Sequence, residues 1–109
     1  MKLSRGDLYL VSPPLGGDPR RARAVVIVSR QTLCDSRADQ VVCAPVNSNS
    51  DGRSTEVHVG QDEGLKHDSV VNCDQLILVR KSALTNYLGS IRAKTRTVLN
   101  AALRIALDV

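Results

Sequence analysis

Arg20, Arg21 and Arg23 crowd the end of a stretch rich in turn formers, SPPLGGDPRRA, directly ahead of the apolar run Ala24–Val28. A guanidinium is a rigid, permanently charged fork of donors, so a cluster of them at a loop-to-strand junction suits the binding of phosphate. The strand supplies rigidity and the loop supplies access. A second group lies in SVVNCDQLILV, where polar Asn72, Asp74 and Gln75 interrupt an otherwise apolar stretch. A carboxylate in such surroundings calls for a partner, either backbone donors or a cation. The two histidines are the side chains that usually move protons near neutral pH. They fall on an alternating stretch (His58) and in the acidic loop QDEGLKHDS (His67), places that suit surface roles. Cys34, Cys43 and Cys73 are odd in number and lack metal-type spacing. Neither a disulfide framework nor a zinc site is expected, and packed, reduced thiols are.

The elements that must position these groups follow from periodicity. Asp7–Ser12 alternates as a strand and is stopped by Pro13-Pro14, and the β-branched run Val25–Val28 reads as a buried strand. Gln40–Val46 repeats that character. Asn47–Arg53, NSNSDGR, carries an Asp-Gly turn signal and leads into alternating Thr55–Val59, which together suggest a hairpin. Ser69–Val79 is long enough for one bent strand. The period then changes: Val98, Leu99, Ala102, Leu103 and Ala106 mark one side of a helix beginning near Lys94. About five strands and one closing helix, without crossover helices, describe a mainly β fold: a small, bent antiparallel barrel with a C-terminal α-helix.

The chain has 109 residues and no internal repeat or linker, so residues 1–109 form one domain. Its apolar runs fall far short of the roughly 20 residues a membrane span needs, and MKLSRGD lacks a signal-peptide core. No membrane association is expected, and a cytoplasmic location is. The net charge of +4 is unevenly spread. Residues 75–109 hold six Lys/Arg against Asp108 alone, whereas residues 35–74 hold three against eight acids. The basic end and the arginine cluster suit nucleic acid or an acidic protein partner.

Four blocks in order, RGDLYLV, RAVVIVS, APVNS and SVVNCDQL, followed by KSAL, LGSI and the terminal helix, resemble the MazF/PemK (Kid-type) toxins of type II toxin–antitoxin systems. The resemblance spans nearly the whole chain. It implies an SH3-like barrel, a homodimer, and a metal-independent, cofactor-free endoribonuclease. Such an enzyme cuts single-stranded mRNA at short sequences and so inhibits translation and growth. It also implies an antitoxin whose acidic tail occupies the RNA-binding surface. Metal-free cleavage uses the substrate's own 2′-hydroxyl, leaving a 2′,3′-cyclic phosphate and a 5′-hydroxyl, so the protein must stabilise the phosphorane and assist proton movement.

Carried over by position, the resemblance makes Arg23 the catalytic arginine, a fixed double donor to the scissile phosphate; with a pKa above about 12 it is a poor base. Ala24 follows it where the family usually has proline. Asn47 stands where the family commonly has a catalytic threonine, so the role falls to its amide or is shared with the Ser48 hydroxyl; alternatively both residues simply begin a turn. Asp74 matches an aspartate of the family motif. It would orient Arg23 or act as base if it lies nearby, or else serve as a buried structural group. Asn72 replaces an arginine of Kid-type members, Gly17 stands where they have histidine, and Gln75 is placed to read a base edge. Arg20 and Arg21 are expected to steer RNA. With no Phe or Trp, base recognition falls to the loops around residues 13–22 and 47–53. Two other readings are a catalytically weak relative that binds RNA and antitoxin, favoured by Asn47, and a CcdB-type topoisomerase poison. The ending IALDV, without tryptophan, opposes the latter.

Overall fold

The computed structural model describes residues 2–11 and 23–109. Arg20, Arg21 and Gly17 lie outside the described residues. The strands are β1 (Asp7–Val11), β2 (Ala24–Ile27), β3 (Gln40–Asn47), β4 (Glu56–Val59), β5 (Ser69–Asn72), β6 (Ile77–Arg80) and β7 (Leu84–Ser90). The helices are α1 (Gln31–Asp35) and α2 (Ala93–Leu107). Every pairing is antiparallel, in the order β4-β5-β3-β2-β1-β7, with β6 also on β3. Along that path the sheet is not closed, and it coils as a barrel-like wrap over which α2 packs. The fold class agrees with the expectation, while several details do not.

Apart from the polar end residues Asp7, Gln40 and Asn47, strands β1, β2 and β3 are apolar because both of their faces are largely buried. Tyr9, Val25, Ile27 and Cys43 join Leu84 and Val79 in one cluster. Their immediate neighbours Leu8, Val26 and Ala44 join Val57, Val71, Cys73, Leu99 and Ala102 of α2 in another. Alternate side chains point to opposite faces of a strand, so a run such as Val25-Val26-Ile27 serves two cores at once. The three cysteines are free and buried, as expected. Burial pushes the thiol of Cys43 up to about 12 and that of Cys73 to about 11, which keeps both unreactive.

The opening block RGDLYLV is architectural. Arg5 donates through Nε to the Val28 carbonyl (3.0 Å) and through Nη2 to Asn100 Oδ1 (3.0 Å), tying the amino-terminal turn to β2 and α2. Gly6 turns the chain at φ +93°, and Asp7 accepts from Ser4 N (3.1 Å) and Ser90 Oγ (2.6 Å). Tyr9 is a core residue, edge-on to Tyr87 at 5.5 Å.

Three expectations are corrected. Ser69–Val79 is two strands, because an Asx turn at Asn72 breaks it: Asn72 Oδ1 accepts from Asp74 N (2.9 Å) and a 3-10 turn spans Cys73–Gln75. The loop NSNSDGR does not close a hairpin, since β4 pairs with β5 and not with β3. Val98 is half exposed, because it lies one residue, about 100° of rotation, off the stripe formed by Leu99, Ala102, Leu103 and Ala106. Strand β7 has no alternation to reveal it; Thr85, Asn86 and Tyr87 are successive exposed residues on a sheet edge. A 3-10 turn over Gln61–Glu63 crosses β7 at close range, and a side chain on Gly64 or Gly89 would strike the backbone of Leu88 or Glu63.

Leu99 is 1% exposed at the centre of the α2 contact, so Leu99→Ala should lower the unfolding free energy by about 2–5 kcal/mol. Val98→Ala should change it by about 0.5 kcal/mol or less. Urea unfolding followed by circular dichroism at a fixed protein concentration measures both.

Candidate functional site

Three adjacent strands bring the polar groups together. The β2–β3 register pairs Ile27 with Cys43 and Val25 with Pro45, so continuing it two residues outward sets Arg23 opposite Asn47. Opposite residues share a face of the sheet. The backbone of Arg23 is held there by the bond from Val11 N to its carbonyl (3.1 Å). On the other edge of β3, Asn47 pairs with Val70, and two residues further along β5 comes Asn72 with its turn. Strand alternation therefore runs from core residues in the middle of these strands to Arg23, Asn47 and Asn72 at one rim.

At that rim lies a polar cleft of about 510 Å³, lined by Arg23, Val46, Asn47, Ser48, Asn49, Asp51, Asn72 and Gln75. Five of the residues singled out from the sequence are here: Arg23, Asn47, Ser48, Asn72 and Gln75. Asn49 and Asp51 were reached only as parts of the recognition loop, and the density of amide and hydroxyl side chains in NSNSDGR is the signal that points to them. The four carboxamides offer donors and acceptors without charge, and among the described residues Arg23 is the cationic group of the lining. Another cleft, of about 480 Å³, is lined by His58, Asp62, Glu63 and Asp68 among others and would repel an anion. Neither His58 nor His67 lines the Arg23 cleft. Among the described residues, no group of His, Cys, Asp and Glu is set to hold a metal ion.

Asp74 does not sit beside Arg23. Its Oδ2 accepts from Thr55 Oγ1 (2.6 Å) and lies 3.6 Å from Nη1 of Arg53, and it is absent from the cleft lining. The reason is the turn: with Asn72 Oδ1 capping Asp74 N, the aspartate swings toward the start of β4 while Gln75 lines the cleft. Thr55 also receives Cys73 N at its carbonyl (3.0 Å), so the 73–75 turn and the 51–55 segment are clamped together.

The loop wall of the cleft is organised by one carboxylate. Glu56 Oε1 accepts from Ser50 Oγ (3.0 Å), Asp51 N (3.1 Å) and Arg53 N (3.1 Å), while Oε2 also accepts from Asp51 N (3.1 Å). These donors, the Asp51 amide foremost, hold its pKa below the ordinary 4.5.

Comparison with known proteins identifies the family. Residues 4–107 match the family model described as PemK-like, MazF-like toxin of type II toxin-antitoxin system. The chain belongs to this toxin family. It is similar to Endoribonuclease MazF2 of Mycobacterium bovis, 28% identical over 114 residues that cover 100% of both chains. It is also similar to Endoribonuclease MazF3 of Mycobacterium tuberculosis, 30% identical over 89 residues, covering 82% of this chain and 85% of the relative. Among solved structures, an endoribonuclease in complex with its cognate antitoxin from a mycobacterial species superposes with a TM-score of 0.83 at 26% identity. The match covers 98% of this chain and 96% of that one. In this MazF-like chain, Arg23 stands at the entrance of β2 and Asn47 at the end of β3.

Because the folded state depresses the Glu56 pKa, its contribution to loop stability is complete above the ordinary carboxylate value. That contribution is lost as pH falls through the lowered one. In an NMR titration the Asp51 and Arg53 amide shifts should follow a single group with a midpoint below 4.5. The stability difference between wild type and Glu56→Gln should be present at neutral pH and vanish below that midpoint.

Proposed function

We propose that this toxin cleaves single-stranded RNA in the Arg23 cleft by metal-independent attack of the substrate's 2′-hydroxyl. The observation that carries the proposal is the convergence of Arg23 with Asn47, Ser48, Asn72 and Gln75 on one polar cleft. The protein is an endoribonuclease toxin, and mRNA in the cytoplasm is its substrate. In the reaction the 2′-oxygen bonds to phosphorus as its proton leaves, and the bond to the 5′-oxygen breaks. The 5′-oxygen takes up a proton, leaving a 2′,3′-cyclic phosphate and a 5′-hydroxyl. Charge accumulates on the non-bridging oxygens, and preorganised donors aimed there lower the barrier most. Arg23 supplies two such donors, and the Asn47 amide and Ser48 hydroxyl supply further ones without needing to ionise.

Asn72 and Gln75 face base edges. Asn72 is fixed in orientation because its Oδ1 is spent on Asp74 N, so its NH2 presents donors to the cleft. Asp74 acts at one remove, holding the turn through Thr55. Arg20 and Arg21 add cationic charge for steering. The cognate antitoxin blocks the same cleft with an acidic tail that pairs with Arg23. The protein works as a homodimer, and exposed Leu78 on β6 with Ile105 and Leu107 on α2 provide apolar surface for the second copy.

Asn47 favours one second reading, a relative that binds RNA without cutting it. Purified protein incubated with long single-stranded RNA in EDTA decides between them. Cleavage with the stated ends, reduced about 10²–10³-fold in kcat by Arg23→Ala, supports the ribonuclease. Salt-dependent binding without cleavage supports the second reading. Asp74→Asn keeps an acceptor for Thr55 and should retain most activity; a loss equal to that of Arg23→Ala would make Asp74 a participant in proton transfer.

A further inference from the structure

We infer that Glu56 is a positioning residue for RNA selection, fixing the Ser50–Arg53 turn as one wall of the cleft without touching the substrate. The inference rests on RNA as the occupant of that cleft. Glu56 is not among the lining residues, yet Asp51, whose amide it holds with both oxygens, is. The turn has other ties: Gly52 N donates to Ser50 Oγ (3.2 Å), Glu56 N returns to the Arg53 carbonyl (3.1 Å), and the Arg53 side chain lies 3.6 Å from Asp74 Oδ2, but none of these holds the Asp51 amide. Within that turn the Ser50 hydroxyl and the Asp51 and Arg53 amides all converge on this one carboxylate. Glu56 is also the register partner of Asn72 on β5, so the strand pair that carries the loop wall carries the turn wall as well.

The rest of the cleft is held differently. Arg23 is fixed by the β1–β2 ladder and Asn47 by the β3–β5 ladder, and neither depends on Glu56. Removing the carboxylate therefore frees the Ser50–Arg53 turn, and with it Asp51 of the cleft lining, while Arg23 and Asn47 stay on their ladders. The consequence is weaker and less selective capture of RNA with bond-making intact.

The test uses full-length wild type, Glu56→Ala, Glu56→Gln, Ser50→Ala and Arg23→Ala on an oligonucleotide carrying the site mapped for wild type on long RNA. Glu56→Ala should raise KM about tenfold with kcat within about twofold, and should cut long RNA at additional sites. Glu56→Gln keeps one acceptor oxygen and should recover part of the loss, and Ser50→Ala should move KM in the same direction by less. Should Glu56→Ala fail to fold by circular dichroism, the Gln and Ser50 variants carry the test through the same split. A folded Glu56 variant that loses kcat as Arg23→Ala does, or that keeps wild-type KM and site choice, overturns the inference. If wild type binds long single-stranded RNA without cutting it anywhere, the ribonuclease reading fails separately, and binding is then measured on that RNA. Glu56 is then judged on the same tenfold change in Kd.

Discussion

Strand β3 bears three neighbours, and the site is a consequence of how they share it. Along one edge it pairs with β2; along the other it serves β6 with Gln40–Cys43 and β5 with Val46–Asn47. Between those two registers β3 advances only through Ala44 and Pro45, and Pro45 has no N–H to offer a partner. The opposite chain must cover the same interval with the residues from Asn72 to Leu76, so the surplus loops out as the 3-10 turn. An interrupted ladder thereby becomes a wall: Asn72 and Gln75 line the cleft because the sheet cannot pair there.

Among the described residues, the cleft holds one guanidinium, Arg23, and one carboxylate, Asp51, among carboxamides and a hydroxyl that hydrogen-bond without charge. The carboxylates nearby are mostly occupied elsewhere. Glu56 is turned onto backbone and hydroxyl donors, and Asp74 onto Thr55 and Arg53. On the proposed function, the same polar set would read bases by hydrogen bonding, in a protein whose aromatics are Tyr9 and Tyr87, with Tyr9 committed to the core.

Much of this was legible in the residues. The apolar runs of β1 to β3, the closing helix and the placing of Arg23 at the mouth of β2 all followed from pattern and turn chemistry. The failures have physical causes. The polar run Asn72–Gln75 was visible as an interruption, but whether it bent a strand or ended one depended on a hydrogen bond from Asp74 N to the Asn72 side chain. Whether Asp74 met Arg23 or served as a structural group was open in the sequence. Their separation depends on Thr55, a residue with no distinguishing context in the sequence. Strand β7 lacked a period because it lies on an edge and meets its neighbour through shifted registers.

The crossing of the Gln61–Glu63 turn over β7 carries a different consequence. At Gly64 and Gly89 two backbones approach so closely that no methyl group fits between them. Cells selected to survive expression of this protein would accumulate lesions at these two glycines and, on the proposed function, as readily at Arg23. The escape would be of another kind, since such chains fail to assemble instead of assembling without activity. A map of escape mutations would therefore show two separated hot regions, one chemical and one steric. The steric one would be silent in any assay that scores only properly folded protein.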